Sequence, residues 1–131
     1  MATGRGHVLV VDDAEELRTL FEAVLVDEGY RVTLRAEAPS VAEVADLGPD
    51  AVVLDLLLGS DEGAAWGLVE GMRGDPRLRA VPVVVCSAAT DLLDRLDDRF
   101  LAMGVAAVPK PFELEEFLGS VARALGKTAP S

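Results

Sequence analysis

The chain has 131 residues, with 12 Lys and Arg against 23 Asp and Glu, for a formal charge of −11 at pH 7. That length holds one domain with one core. Half of it is hydrophobic and only 5% aromatic, which excludes a disordered chain and implies a core of Val, Leu and Ala. So acidic a chain, with no Lys/Arg stripe, is expected to repel phosphate backbones, so nucleic acid is not an expected partner.

Residues 7–11, His7-Val8-Leu9-Val10-Val11, form a short apolar run stopped by two acids. Leu17, Leu20, Phe21, Val24 and Leu25 then recur at helical spacing, and Gly29 stands where a left-handed cap is wanted. Residues 30–34 read as a strand, and Val41, Val44 and Ala45 mark a shorter helix closed by Gly48-Pro49. A third strand, Ala51-Val52-Val53-Leu54, runs into Asp55. A Gly-containing loop leads to a helix with Leu68, Val69 and Met72, weakened by Gly67 and Gly71 if these face solvent and ended by Asp75-Pro76. Residues 81–86 carry the strongest strand signal. A helix over 91–103, a strand over 105–108 and a last helix through Leu114, Phe117, Leu118, Val121 and Leu125 to Gly126 complete the series. Strands alternating with helices predict an α/β fold, a (βα)5 doubly wound parallel five-stranded sheet. Expected boundaries are an N-terminal extension over 1–6, the domain over 7–126 and a short tail over 127–131 with no output domain.

In such a sheet, ligands bind beyond the carboxyl ends of the strands. The residues expected there are Asp12 and Asp13, Asp55, Ser87 and Lys110. Three clustered carboxylates need a cation or a proton between them, and an all-oxygen site that keeps waters suits Mg2+. Lys110 supplies a point charge for a phosphoryl oxygen and Ser87 a hydrogen bond to another. Asp55, alone at its strand end, is the natural nucleophile for an aspartyl phosphate. An aspartate-nucleophile phosphatase would want a second Asp two residues on, where Leu57 stands. No P-loop, dinucleotide turn or Ser-His pairing is present.

The segments Val8-Leu9-Val10-Val11-Asp12-Asp13, Val53-Leu54-Asp55, Val83-Val84-Val85-Cys86-Ser87-Ala88 and Lys110-Pro111-Phe112 together resemble the receiver domain of two-component response regulators, over nearly the whole chain. The resemblance implies a flavodoxin-like sheet of strand order 2-1-3-4-5. It implies that Asp55 takes a phosphoryl group from a phosphohistidine on a sensor histidine kinase or histidine phosphotransfer protein; the domain is then expected to act as a phosphorelay carrier or as a switch for an unidentified downstream protein. Asp13, Asp55 and the carbonyl of Leu57 would hold Mg2+, with Asp12 acting through water, while Ser87 and Lys110 hold phosphoryl oxygens. The Lys110-Pro111 bond would be cis, and the protein would catalyse only its own phosphorylation and slow dephosphorylation.

Three features depart from the family pattern. Gly59 replaces a usual proline, and the loop over 57–65, with Asp61 and Glu62, reads as about two residues long in excess. Ala107 replaces the aromatic residue that commonly reports phosphorylation, so output is expected through another surface or as a relay carrier. Leu57 and Ala89 cannot orient a hydrolytic water, so slow self-dephosphorylation is expected. A degenerate receiver serving as a phosphorylation-independent interaction module is the alternative.

Smaller features have plainer readings. A lone Cys86 makes no internal disulfide and is expected in the core. His7 is expected at the surface, Trp66 against the lengthened loop, and Asp97-Asp98 on a solvated helix face. The first six residues lack the apolar core of a signal peptide, and no run approaches the about 18 apolar residues of a membrane span, so a cytoplasmic location and no membrane partner are expected.

Overall fold

The computed structural model describes residues 6–55, 62–87, 102, 105–109 and 114–128. Five strands, β1 (Gly6–Val11), β2 (Tyr30–Arg35), β3 (Ala51–Asp55), β4 (Val83–Ser87) and β5 (Val105–Pro109), form one parallel sheet. Its order is β2-β1-β3-β4-β5, as the family resemblance implies. Four helices are described: α1 (Glu15–Asp27), α2 (Val41–Leu47), α3 (Glu62–Arg73) and α4 (Leu114–Thr128). Of the helix expected over 91–103, Ala102 is helical and the rest lies outside the described residues.

The Val-rich strands are apolar on both faces because helices cover both. On one face, Leu9, Val11, Val52, Leu54, Val83, Val85 and Val105 form a buried cluster with Val44 of α2 and Ala65, Leu68, Val69 and Met72 of α3. On the other, Val8, Val10, Val53, Val84, Cys86 and Val108 pack with Phe21 and Leu25 of α1 and Phe117 and Val121 of α4. The alternation along each strand is the period of two that sends successive side chains to opposite faces. Phe21 and Phe117 stack at 4.6 Å between ring centroids and lock α1 to α4.

Element ends follow local chemistry. Gly29 and Gly48 take φ of 96° and 62° after α1 and α2, where a side chain would be strained. The Ser40 hydroxyl accepts from the Glu43 N–H and caps α2. The fourth strand starts at Val83 rather than at Val81, since Pro82 has no N–H to give the ladder, although its carbonyl accepts from Val52 N–H at 3.0 Å. The last helix runs past Gly126 to Thr128.

Two expectations need correction. The third helix begins at Glu62, so residues 62–65 of the supposed long loop are helical, and Ala65 is buried in the core. Residues 56–61, with Leu57, Gly59 and Asp61, lie outside the described residues. Trp66 is partly buried against the core cluster that α2 and α3 share with the sheet, and the part of the loop expected beside it lies outside the described residues. His7 is buried, 8% exposed, with Nε2 2.7 Å from the Thr33 hydroxyl. It is the second residue of β1, a strand flanked on both sides.

Candidate acidic site at the carboxyl end of the sheet

Val11 pairs with Leu54 across β1 and β3, so Asp12 leaves β1 level with Asp55 at the end of β3. Asp12, Asp13 and Asp55 each place a carboxylate oxygen within 4.8 Å of the others'. Asp12 is 1% exposed and Asp55 9% exposed, whereas Asp13 faces solvent. The cluster therefore has a buried floor and an open side.

Asp12 is held from several directions. Its N–H donates to the Arg35 carbonyl at 3.1 Å, extending the β1–β2 pairing by one step. Its Oδ1 accepts from the Ala14 N–H at 2.9 Å, a turn that caps the approach to α1 where Ala14 itself offers no side-chain cap. Its carbonyl accepts from Arg18 Nη1 at 2.7 Å. Arg35, at the end of β2, pairs with Glu43 of α2 at 2.8 Å and donates to the Leu34 carbonyl.

Asp55 stands opposite Cys86 in the β3–β4 ladder, and Ser87 opposite Pro109 in β4–β5. The backbone thus carries Ser87 to the same end of the sheet as Asp55, and Lys110 follows Pro109 directly in the chain. Lys110, Leu57 and Ala89 lie outside the described residues, and Ala107 pairs by its backbone with Val85. Cys86 is buried, as expected of a core residue.

Sequence reasoning passed over Arg18. The available signal was a cation in the first turn of a helix beginning Glu15-Glu16, where the helix dipole disfavours positive charge.

Chemically, three carboxylates this close repel unless a cation or proton lies between them. An all-oxygen, anionic, half-open set fits a hard divalent ion that keeps some of its waters. Asp55, 9% exposed, lies between the buried Asp12 and the open Asp13 in its access to water.

Residues 8–122 match the family model of the response regulator receiver domain. The transcriptional regulatory protein KdpE of Mycobacterium tuberculosis is 34% identical over 122 residues, covering 90% of this chain and 50% of that protein. YkoG of Bacillus subtilis, described as an uncharacterized transcriptional regulatory protein, is 31% identical over 129 residues, covering 92% and 51%. The chain therefore spans about half the length of the curated relatives it matches. Among solved structures, the non-phosphorylated HemR receiver domain from Leptospira biflexa matches at a TM-score of 0.75 and 30% identity, covering 97% of this chain and 99% of that one. The receiver domain of sensor histidine kinase PA1611 from Pseudomonas aeruginosa PAO1, with a magnesium ion coordinated in its active-site cleft, matches at a TM-score of 0.71 and 26% identity, covering 92% and 98%. With its sheet order, its acidic cluster and nearly its whole length in agreement, this chain belongs to the response regulator receiver domain family.

Proposed function

We propose that this receiver accepts a phosphoryl group on Asp55 from a phosphohistidine of a sensor histidine kinase or phosphotransfer protein, and acts as a relay carrier or switch. The observation that carries this reading is the gathering of Asp12, Asp13 and Asp55 within 4.8 Å at one end of the sheet. A carboxylate oxygen of Asp55 attacks phosphorus, the phosphorus–nitrogen bond breaks, and its electron pair returns to the imidazole of the donor.

Asp12, Asp13 and Asp55, with the Leu57 carbonyl, would hold Mg2+, whose charge offsets that of the carboxylates and the phosphoryl oxygens. Asp12, fixed by hydrogen bonds to Ala14, Arg18 and Arg35, orients the acid pair. Ser87 and Lys110 would bind phosphoryl oxygens. The chain would catalyse no reaction on any other substrate, and Leu57 and Ala89, which cannot orient water, would leave the aspartyl phosphate long-lived. The formal charge of −11 supports a receiver that does not itself contact nucleic acid. Among the described residues no helix is long and apolar enough to cross a membrane, and action in the cytoplasm suits a phosphohistidine donor. Ala107, in place of an aromatic reporter, directs output to a surface other than the usual one, on an unidentified downstream protein.

The test is incubation with acetyl phosphate or beryllofluoride, with and without Mg2+, read by intact mass. The wild type should gain an adduct that needs Mg2+ and that Asp55→Asn lacks. A wild type with no such adduct would favour a phosphorylation-independent interaction module. Rapid loss of a radiolabelled phosphoryl group, within seconds, would contradict the long-lived state.

A further inference from the structure

We infer that Arg18 is a positioning residue for the acidic site, its guanidinium pinning the turn that presents Asp12 and Asp13 to Asp55. The inference rests on the reading of that cluster as a divalent-cation and phosphoacceptor site. Arg18 Nη1 reaches the Asp12 carbonyl at 2.7 Å, shorter than the bonds from the Ala14 N–H to Asp12 Oδ1 and from the Asp12 N–H to the Arg35 carbonyl. This carbonyl lies one residue past the end of β1, beyond the last β1–β2 and β1–β3 ladder pairs, which involve Val11. A cationic donor there is stronger than a neutral one.

The position of Arg18 on its helix strengthens the argument. It is the fourth residue of α1, whose first turn carries Glu15 and Glu16. The exposed N–H groups of that turn make it unfavourable for a cation. Bonding to the Asp12 carbonyl offsets that penalty, and the carbonyl, oppositely polarised, is the group a guanidinium can satisfy there. The same turn is closed on the other side by the Ala14 N–H on Asp12 Oδ1. Arg18 thus fixes the Asp12 main chain and the Ala14 N–H fixes its side chain, so the two contacts restrain the turn together.

Positioning and simple charge make opposite predictions. If Arg18 were only a nearby positive charge, replacing it would remove repulsion and tighten the binding of Mg2+. If it holds the turn, replacing it weakens binding, because the carboxylates lose their preset arrangement. Arg18→Ala and Arg18→Lys separate the two, since lysine keeps the charge and one donor without the planar fork.

The test reads amide exchange at Ala14 by NMR in the metal-free protein, and Mg2+ binding by titration calorimetry. Arg18→Ala should speed Ala14 exchange by about tenfold, without a like change in β3, and weaken Mg2+ binding about threefold to tenfold. Arg18→Lys should recover part of both. Unchanged Ala14 exchange in Arg18→Ala, or Mg2+ binding as tight as or tighter than wild type, would overturn the role. Failure of the wild type itself to bind Mg2+ would instead overturn the reading of the site, and the Ala14 exchange would still decide the role of Arg18.

Discussion

Val11 lies opposite Leu54 in the β1–β3 ladder, and this one pairing sets Asp12 and Asp55 side by side across strands 43 residues apart in the chain. A one-residue shift of either strand would turn its acid to the other face of the sheet and disperse the cluster. The site is therefore as rigid as the central pair of the sheet.

Mutual repulsion among the three carboxylates should make the site a source of instability when no cation is bound. In chelator-treated protein, Asp13→Asn should melt later than wild type, by about 0.5–1 kcal/mol for an exposed, screened charge. Added Mg2+ should reverse the order. A tenfold loss of affinity removes about 1.4 kcal/mol of ligand stabilisation at saturating metal. Thermal melts with and without Mg2+ measure both, and equal Mg2+ shifts in the two proteins would contradict the assignment of Asp13.

Two glycines of α3 should respond in opposite directions. Gly67 is exposed with nothing within 4 Å of an added Cβ, so Gly67→Ala should stabilise by about 0.5–1 kcal/mol through helix propensity. At Gly71 an added Cβ would lie 2.6 Å from Val41 Cγ2 of α2. Gly71→Ala should therefore destabilise by about 1–3 kcal/mol, the overpacking outweighing the propensity. Urea denaturation reads both, and Val41→Ala should relieve part of the Gly71→Ala defect in a double-mutant cycle.

The stacked pair Phe21–Phe117 joins α1 and α4 across one face of the sheet, both rings fully buried. Phe117→Ala should cost about 3–5 kcal/mol, and Phe117→Leu much less, because leucine refills most of the volume. A loss below about 1 kcal/mol for the alanine variant would mean that the two helices do not depend on this contact.

His7 predicts a pH dependence away from the acidic site. Burial lowers its pKa below the usual histidine value, the nearby Arg31 adds to this, and Asp50 and the Leu47 carbonyl pull weakly the other way. Among the described residues its buried Nδ1 makes no hydrogen bond of good geometry, which favours the neutral ring. The unfolded chain thus takes up the proton first. The His7 contribution is complete above the ordinary histidine pKa near 6.5 and is lost as pH falls through the lowered folded value. Stability curves of wild type and His7→Gln should differ in slope below that pH and run parallel above it.

Much of this was legible without coordinates. Alternating apolar runs and helical stripes implied the sheet and its helices, and the acids closing strands one and three marked the end where chemistry gathers. These signals are local, since a strand end and its last residue lie together in the chain. The extent of α3 was misjudged because family spacing was followed past Ala64 and Ala65, which are good helix formers and, at Ala65, core residues. His7 was misplaced because its partners, Thr33 of β2 and Asp50 just before β3, are brought beside β1 only by tertiary pairing.

The sequence by itself determined the order of elements, the two-sided apolar strands and the identity of the acids, since each follows from residue type and short-range spacing. Only the tertiary structure decided the register that joins Asp12 to Asp55, the close approach of Gly71 to Val41, the burial of His7 and the reach of Arg18 to the Asp12 carbonyl. Each of these depends on how strands and helices meet in space, which periodicity along one segment does not encode.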